Sequence, residues 1–527
     1  IVLGRRSFAA ARTLARDRGL VMAALTPFDG TDIWALIAAR AAARPDHPWL
    51  VWRPLSGPGR TWIYREFLAE ASRVAAGLRR AGVGRGDRVL IHMHNCPEML
   101  LTWFACGRLG AVAVSTNARL AGDEIAYVRD KVKPVLAVTQ AELADLVAAS
   151  CPGLKSYVAE TNFADLLDAG GEVPAETDLT MAPLAIQFTS GTTSRPKGAV
   201  FTHANALWGA RIGAAHMGLT GDDVSLVYLP LFHIVGLSWI TLATLWAGGT
   251  VVLQPRFSAS RFWPVSLECG CTFTVVMPFA WKALDKLAVP RHAYRLWNHG
   301  AVDDDLARRY RVRVNASWGM TEMVTEGTMS DPSLPCAEGG IGRPAPEYQL
   351  RVVDAAGNPV AVSQIGNLEA RAQRGVGLFL EYYGDPEATA AAFTDDGYFR
   401  TGDIVTRLGD GSLRYATRAK DMLKVGGENV AAAEIERAIV AVAGVREAAV
   451  VGRRHDFLAE VPVAFVLIEA HVTDHPALIA AIETACASRL ADFKRPREIF
   501  LVEELPRSVN QKVAKGVLRK LAAEGHS

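Results

Sequence analysis

The feature that most constrains the fold is an alternation of short apolar segments with amphipathic segments, from about residue 88 to residue 330. Residues 88–92 predict a strand, residues 97–109 a helix and residues 111–114 the next strand. Strands joined by helices of this length pair in parallel, because each helix returns the chain to the same end of the sheet. The pattern therefore predicts an α/β fold.

A second constraint is the stretch Val224–Pro255, which contains no Lys, Arg, Asp or Glu. Its length would suit a membrane-spanning helix, but Pro230 interrupts it early and a Gly-Gly pair interrupts it late. Strands that are covered on both faces also form continuous apolar runs. We therefore expect no membrane span here, and predict a buried strand over 224–229, a helix over 235–247 and a strand over 250–254.

Charge and composition exclude several classes of protein. The 527 residues include 57 Lys and Arg against 55 Asp and Glu, a net charge of +2, whereas nucleic-acid-binding proteins usually carry a clear basic excess. Half of the residues are hydrophobic, which excludes a disordered or fibrous chain. The seven cysteines are scattered, and we expect reduced, packed thiols in a cytoplasmic protein.

The first residues have a composition of their own. Residues 1–20 carry five arginines and one aspartate, which resembles a transit peptide. The favoured alternative is a disordered lead-in, or translation upstream of a start at Met22, and a lipid-surface anchor is a third one. We therefore assign residues 1–21 to an N-terminal extension.

The pattern of residues along the chain changes twice after residue 330. Between about 340 and 417, short strands alternate with turn dipeptides such as Gly357-Asn358 and Asp410-Gly411, which predicts a β-rich subdomain. Beyond it, the chain returns to charged helices and strands. We predict an N-terminal domain over 22–418, its β-rich part at about 340–418, and a C-terminal α+β domain over 419–527.

The sharpest local motif is the run Thr189–Gly198, which is rich in hydroxyl side chains, glycine and cations and follows an apolar strand at 184–188. Such a loop can surround phosphate oxygens with N–H and O–H donors while Lys197 neutralises charge. It lacks the Gly-Lys-Ser/Thr ending of a Walker loop. Taken alone, the run fits a flexible turn equally well.

Five motifs in order give the chain a family resemblance. Thr189–Gly198 resembles the phosphate loop of the adenylate-forming enzymes, the superfamily of acyl-CoA synthetases, amino-acid adenylation domains and beetle luciferases. The other four motifs are Trp318–Glu322, Tyr398–Asp403, Arg418–Asn429 and Leu505–Lys512. Departures from the family pattern are Ser194 and Gln511, where glycine is usual, Trp318 in place of tyrosine, and His299 in place of the first residue of Gly-Gly-Ala. The resemblance implies a large N-terminal domain of α/β subdomains and a small mobile C-terminal domain.

The resemblance also implies a reaction in two halves. A carboxylate attacks the α-phosphate of ATP to give an acyl-adenylate and pyrophosphate, and the thiol of coenzyme A then displaces AMP. Glu322 is the implied magnesium ligand, Thr321 the donor to the α-phosphate and Trp318 the partner of adenine. The full implied ATP site consists of Thr189, Ser190, Gly191, Thr192, Thr193, Lys197, Gly300, Ala301, Trp318, Gly319, Met320, Thr321, Asp403, Arg418 and Lys512.

Residues of the later motifs receive separate implied roles. Asp403 and Arg418 would bind the ribose, and Lys512 would bridge the carboxylate and the α-phosphate. Lys420 lies at the family's hinge position, because a domain that serves both half-reactions has to rotate. Gly426 and Gly427 would let the pantetheine of coenzyme A pass close to the backbone. Lys424 and Asn429 would orient the carboxylate, or would simply be solvated.

The acyl pocket is predicted from the same resemblance. It would be lined by His233, Trp239, Met277, His299, Gly300, Trp318, Gly319 and Met320, with His233 as the gating residue. These residues are compatible with aromatic, medium aliphatic and bulky cyclic acids as substrates. The sequence does not decide whether the protein is a monomer or a homodimer. Alternatives to an acid–CoA ligase are a ligase that loads a carrier protein and a non-catalytic nucleotide-binding protein.

Overall fold

The computed structural model describes residues 26–167, 173–174, 176–189, 196–331, 333–418, 421–425, 428–455, 458–490, 492–507 and 513–524. The chain forms two compact units, and each is described by itself. Unit 1 runs to Gln349 and includes Arg371–Tyr398, while unit 2 takes Leu350–Ala370 and the residues from Phe399 on. The boundary predicted at 418–419 from the change in sequence pattern stays a prediction.

Strands make up the frame of both units. In chain order they are β1 (Pro48–Trp52), β2 (Arg60–Ile63), β3 (Arg88–His92), β4 (Val112–Thr116), β5 (Leu136–Thr139), β6 (Ser156–Val158), β7 (Pro183–Thr189), β8 (Lys197–Thr202), β9 (Val224–Val227), β10 (Thr250–Leu253), β11 (Phe273–Val275), β12 (Leu296–His299), β13 (Arg313–Gly319), β14 (Glu326–Met329), β15 (Arg343–Pro344), β16 (Gln349–Val353), β17 (Ile365–Arg371), β18 (Glu381–Tyr382), β19 (Phe399–Arg407), β20 (Leu413–Arg418), β21 (Met422–Val425), β22 (Glu428–Ala431), β23 (Val445–His455), β24 (Ala459–Ile468) and β25 (Glu498–Val502).

The α-helices alternate with these strands. They are α1 (Ile33–Ala43), α2 (Tyr64–Arg80), α3 (Pro97–Arg108), α4 (Gly122–Val132), α5 (Ala141–Ser150), α6 (Ala164–Leu167), α7 (His203–His216), α8 (Ala243–Ala247), α9 (Ala259–Glu268), α10 (Pro278–Leu284), α11 (Asp304–Tyr310), α12 (Pro386–Ala391), α13 (Ala432–Val440), α14 (His475–Arg489) and α15 (Lys515–Glu524).

Unit 1 contains two large sheets whose central strands are parallel. One has the order β15-β14-β13-β12-β11-β9-β10-β1-β2 and the other the order β18-β8-β7-β4-β3-β5-β6. Parallel pairing joins β3 to β4 and to β5, and β12 to β13, while β8 pairs antiparallel with both β7 and the edge strand β18. The predicted α/β fold is confirmed.

Local chemistry explains why strands turn into helices at the points that position the site. Helix α7 starts directly after β8 because the Thr202 side chain accepts a hydrogen bond from the N–H of Asn205, a capping interaction that satisfies a free helix-end donor. The Asn205 side chain in turn donates to the carbonyls of Val376 and Leu378. These bonds tie the start of α7 to the segment that leads into β18.

The uncharged stretch 224–255 forms a buried strand, helix and strand, as predicted. Its helix differs from the expectation, because Val235–Leu242 has π-helical pairing and only Ala243–Ala247 is α-helical. The backbone of this helix lies very close to the preceding loop, because a Cβ on Gly236 would lie 2.4 Å from the Pro230 carbonyl oxygen. Wide π-helical turns are frequently found at functional sites.

Unit 2 contains an antiparallel sheet of order β16-β17-β19-β20 and a second sheet built from β21 to β25. The first sheet lies in the segment predicted to be β-rich. In the second sheet, β24 pairs antiparallel with β23 and parallel with β25. Helices α13 and α14 pack on one face of this sheet around Ile435, Ile439 and Ile482, and α15 packs on the other through Leu518.

Two further expectations concern the membrane and the thiols. Among the described ranges, no helix combines the length and the hydrophobicity that crossing a bilayer requires. All seven cysteines fall within these ranges and are free thiols, and five of them are buried. Burial raises the pKa of the Cys106 thiol to about 12, so this side chain packs as a neutral group.

Candidate active site

The two ends of the predicted phosphate loop are fixed by β7 and β8. Thr189 ends β7 opposite Lys197, which begins β8, and the Thr189 hydroxyl donates to the Lys197 carbonyl at 3.4 Å. The predicted loop residues that lie outside the described ranges are Ser190, Gly191, Thr192 and Thr193. The loop therefore re-enters the sheet at a residue that carries a cation.

Tyr382 connects this cation to the predicted magnesium ligand. Lys197 Nζ lies 4.8 Å from the centre of the Tyr382 ring, a distance at which a cation is attracted to the face of an aromatic ring. The Tyr382 hydroxyl donates a 2.9 Å hydrogen bond to Oε1 of Glu322. Tyr382 and Glu322 are only 7% and 5% exposed. The partly exposed ammonium of Lys197 and the buried phenol and carboxylate thus form one connected set on three different elements.

The sequence analysis missed Tyr382. Its place in the sequence is marked only by two adjacent tyrosines, Tyr382 and Tyr383, before a Gly-Asp turn. The position becomes meaningful through β18, where Tyr382 pairs with Ala199 on the strand that Lys197 begins. The sequence could have predicted that an aromatic residue two positions before a turn glycine lies on a strand. It could not have predicted that this residue contacts Glu322.

The turn that carries Thr321 and Glu322 is tightly constrained. It connects Gly319, at the end of β13, to Glu326, at the start of β14, and these two residues are paired. Thr321–Met323 forms a 3₁₀ turn, and the following Val324 has φ of 69°, which is strained for a β-branched side chain. The Phe379 N–H donates to the Glu322 carbonyl at 2.8 Å.

Gly319 meets a steric requirement at this turn. A Cβ at this position would lie 2.6 Å from the Thr325 carbonyl oxygen and 2.7 Å from Cζ2 of Trp239. The structure thus brings together two predicted pocket residues, Trp239 of the π-helix and Gly319. Trp318 is buried, whereas Met320 and Thr321 remain partly exposed, so a ligand has access to them.

The other predicted pocket residues occupy varied environments. His233 is exposed, and its Nδ1 accepts a hydrogen bond from the Val235 N–H at 3.3 Å. Met277 is partly exposed at the start of α10. His299 is buried, and its Nδ1 donates to the Val276 carbonyl at 2.7 Å, so the imidazole is fixed to the neighbouring strand.

Gly300 is exposed, and a Cβ there would meet no atom within 4 Å. Ala301 beside it is partly exposed. The space around Gly300 is not filled by atoms of the described residues, so a planar ligand could approach the backbone closely here.

In unit 2, Asp403 is held at the centre of a strand. It is 1% exposed and is paired with Arg418 across β19 and β20. Its N–H donates to the Thr401 hydroxyl at 3.1 Å, and that hydroxyl donates to the Leu368 carbonyl at 2.6 Å. The predicted pair of ribose ligands therefore occupies one register position.

Two of the remaining predicted residues lie on a hairpin formed by β21 and β22. Lys424 on β21 is paired with Asn429 on β22, so the two proposed carboxylate-orienting residues share a register position. Arg507 and Val513 form a β-bridge that brackets the segment containing Lys512. Predicted residues outside the described ranges are Lys420, Gly426, Gly427 and Lys512.

Comparison with known proteins identifies the family. Residues 37–383 match the model of the AMP-binding enzyme family, and residues 434–512 match that of the AMP-binding enzyme C-terminal domain. Crotonobetaine/carnitine–CoA ligase of Salmonella paratyphi A is 30% identical over 501 residues, which are 89% of this chain and 95% of that protein.

Solved structures agree with this assignment. ATP-bound MatB from Rhodopseudomonas palustris superposes with a TM-score of 0.82 at 27% identity, covering 92% of this chain and 98% of that one. O-succinylbenzoate coenzyme A synthetase from Bacillus subtilis, in complex with ATP and magnesium ion, gives a TM-score of 0.81 at 25% identity, with the same coverage of 92% and 98%. The predicted fold class and the predicted resemblance to acid–CoA ligases are confirmed: the chain belongs to the AMP-binding enzyme family.

Proposed function

We propose that this protein is an ATP-dependent acid–CoA ligase that works through an acyl-adenylate. The observation that carries the proposal is the connected set of Lys197, Tyr382 and Glu322, at the start of the strand that follows the phosphate loop. Full-length similarity to a crotonobetaine/carnitine–CoA ligase supports it, as do the ATP-bound neighbours. The reaction joins two anions, so the protein has to supply positioning and charge neutralisation.

In the first half-reaction, Lys197 would neutralise charge on the departing pyrophosphate, together with the loop residues from Thr189 to Thr193. The partly exposed Thr321 would donate its hydroxyl to the α-phosphate. Trp318 would contact adenine, with Gly300 and Ala301 leaving room for the ring.

Magnesium fits the residues that are present. Glu322 offers a single buried carboxylate, and no cluster of three or more metal-ligating side chains occurs in the described part of the chain. A single carboxylate suits magnesium, because this ion usually binds one or two protein carboxylates and completes its coordination shell with phosphates and water. Glu322 would hold the ion, whose chemistry is to neutralise phosphate charge, and Tyr382 would fix the direction of that carboxylate.

Residues of unit 2 would complete the chemistry. Asp403 would accept hydrogen bonds from the ribose hydroxyls, with Arg418 beside it, and Lys512 would bridge the carboxylate and the α-phosphate during adenylation. Lys420 would act as the hinge that exchanges the two half-reactions. In the second half-reaction, the backbone at Gly426 and Gly427 would line the path of coenzyme A.

The acid substrate is proposed more broadly. The predicted pocket residues include no Lys or Arg, so an acid with a single carboxylate is favoured over a diacid. Aromatic, medium aliphatic and bulky cyclic acids fit this description. Oligomeric state and cytoplasmic location stay predictions.

The deciding experiment incubates the protein with ATP, magnesium, coenzyme A and a panel of carboxylic acids, with products identified by mass spectrometry. An acyl-CoA is expected, and Lys512→Ala serves as the matched control with the adenylation residue removed. Acyl-adenylate without thioester would identify a different acceptor, such as a carrier protein. ATP binding with no product from any acid would contradict the ligase and favour the non-catalytic alternative.

A further inference from the structure

A buried charged cluster lies next to the turn that carries Thr321 and Glu322. His216, the last residue of α7, has Nε2 at 3.0 Å from Oε2 of Glu347 and Nδ1 at 3.7 Å from Oε2 of Glu326. The side chains of His216 and Glu326 are 9% and 0% exposed. The reaction as proposed above uses none of these three residues.

His216 in this cluster is an imidazolium at neutral pH. Burial alone would lower its pKa, but the negative charges of Glu326 and Glu347, together with the hydrogen bond to Glu347, outweigh burial and raise the pKa to about 9. A cation is also favoured at the C-terminus of a helix. A carboxylate with no exposure needs such a partner, because an unpaired charge in the interior is strongly disfavoured.

Glu326 is bonded directly to the residues at the ends of this turn. It is paired with Gly319 at the opposite end of the loop, and its Oε2 accepts a hydrogen bond from the hydroxyl of Thr325. The loop between contains Val324 with φ of 69°. A backbone in such a conformation persists only when its surroundings hold it.

A second anchor holds the same loop from its other side. The Tyr348 hydroxyl lies 2.5 Å from the Met323 carbonyl oxygen and 3.0 Å from that of Gly377, and the Trp208 ring nitrogen donates to it at 3.2 Å. Glu347, next to Tyr348 in sequence, is the hydrogen-bond partner of His216. The ion pair and the tyrosine thus hold the two ends of residues 323–326.

We propose that His216 and Glu326 are positioning residues for nucleotide binding: their ion pair keeps the strained turn in the conformation that presents Thr321 and Glu322 to magnesium-bound ATP. This inference rests on the proposed function, because the turn has to bind a nucleotide for its position to matter. A purely structural ion pair would stabilise unit 1 without changing the affinity of folded protein for ATP.

The test compares His216→Gln, Glu326→Gln and the double variant with wild type. Dissociation constants for ATP in saturating magnesium are measured by isothermal titration calorimetry, and melting temperatures are measured in parallel. Each single variant should bind MgATP at least tenfold more weakly, because His216→Gln leaves the buried carboxylate of Glu326 without its cation and Glu326→Gln leaves His216 held by Glu347 alone. The double variant removes both charges and should recover part of that loss.

His292→Gln is the matched control. This histidine also lies in unit 1, and its Nε2 is 2.8 Å from the Tyr310 carbonyl oxygen, so the substitution perturbs a partly buried histidine hydrogen bond outside the turn. It should change the melting temperature without changing the MgATP dissociation constant. Glu347→Gln, at the partly exposed side of the cluster, serves as the milder variant if the two single variants do not fold.

Two results would overturn the inference. One is a set of variants that melt at lower temperature but bind MgATP as wild type does. The other is a double variant whose loss equals the sum of the single losses in free energy, since residues that act as a pair are not additive. A wild type that binds MgATP but forms no acyl-CoA would instead count against the proposed ligase, and the inference would then be decided by the dissociation constants alone.

Discussion

Removal of one hydroxyl, in Tyr382→Phe, directly tests the proposed role of the set formed by Lys197, Tyr382 and Glu322. The phenol donates a 2.9 Å hydrogen bond to Glu322, and hydrogen bonds to charged groups contribute about 1.5–3 kcal/mol. Phenylalanine keeps the ring, so the contact with Lys197 at 4.8 Å is retained. At about 1.4 kcal/mol per factor of ten, the value of kcat/KM for MgATP should fall by about 10- to 150-fold.

The assay is ATP–pyrophosphate exchange at varied magnesium concentration, which isolates adenylation from thioester formation. Tyr310→Phe is the control, because that buried hydroxyl donates to the Trp281 carbonyl at 3.0 Å and has no part in the proposed site. The control should keep the exchange rate of wild type. Unchanged kcat/KM and magnesium dependence in Tyr382→Phe would refute the claim that the phenol orients the metal-binding carboxylate.

Four further predictions concern other parts of the chain. Lys512→Ala should cripple pyrophosphate exchange far more than thioester formation from a supplied acyl-adenylate, and equal losses would contradict its role. Gly427→Trp should leave exchange intact and block acyl-CoA formation, which a parental rate of thioester formation would disprove. Gly319→Ala places a Cβ 2.6 Å from the Thr325 carbonyl oxygen, so the free energy of unfolding in denaturant titrations should fall by about 1–3 kcal/mol; an unchanged midpoint would show that the turn can yield. The pKa of His216 is raised from 6.5 to about 9 on folding, so its stabilisation is fully present below pH 6.5 and is lost as the pH rises through about 9; His216→Gln should lack that alkaline loss in melting experiments.

The sequence predicted best those features that arise from local pattern. The strand at 88–92 was placed at its observed bounds and the helix at 97–109 to within one residue, because apolar periodicity and Pro97 mark these elements directly. The stretch 224–255 was correctly predicted as buried strand, helix and strand. Its π-helical turns were not foreseen, since they arise where Gly236 lies against the carbonyls of Leu229 and Pro230, and a periodicity analysis contains no such contact.

The residues that support the site could not be predicted from the sequence, for a different reason. Glu322 and Tyr382 are 60 positions apart and His216 and Glu347 are 131 apart, and each pair meets only because strands or helices distant in sequence become neighbours. A motif reveals the residues that touch a ligand, since their order and spacing are local. A single sequence does not reveal the partner that orients them, because tyrosine and histidine are ordinary residues of a protein core. Variants of Tyr382 and His216 therefore distinguish two hypotheses that the motifs alone do not distinguish. In the first, the site needs only the residues that contact the ligand. In the second, the site also depends on buried partners that hold Glu322 and its turn in position.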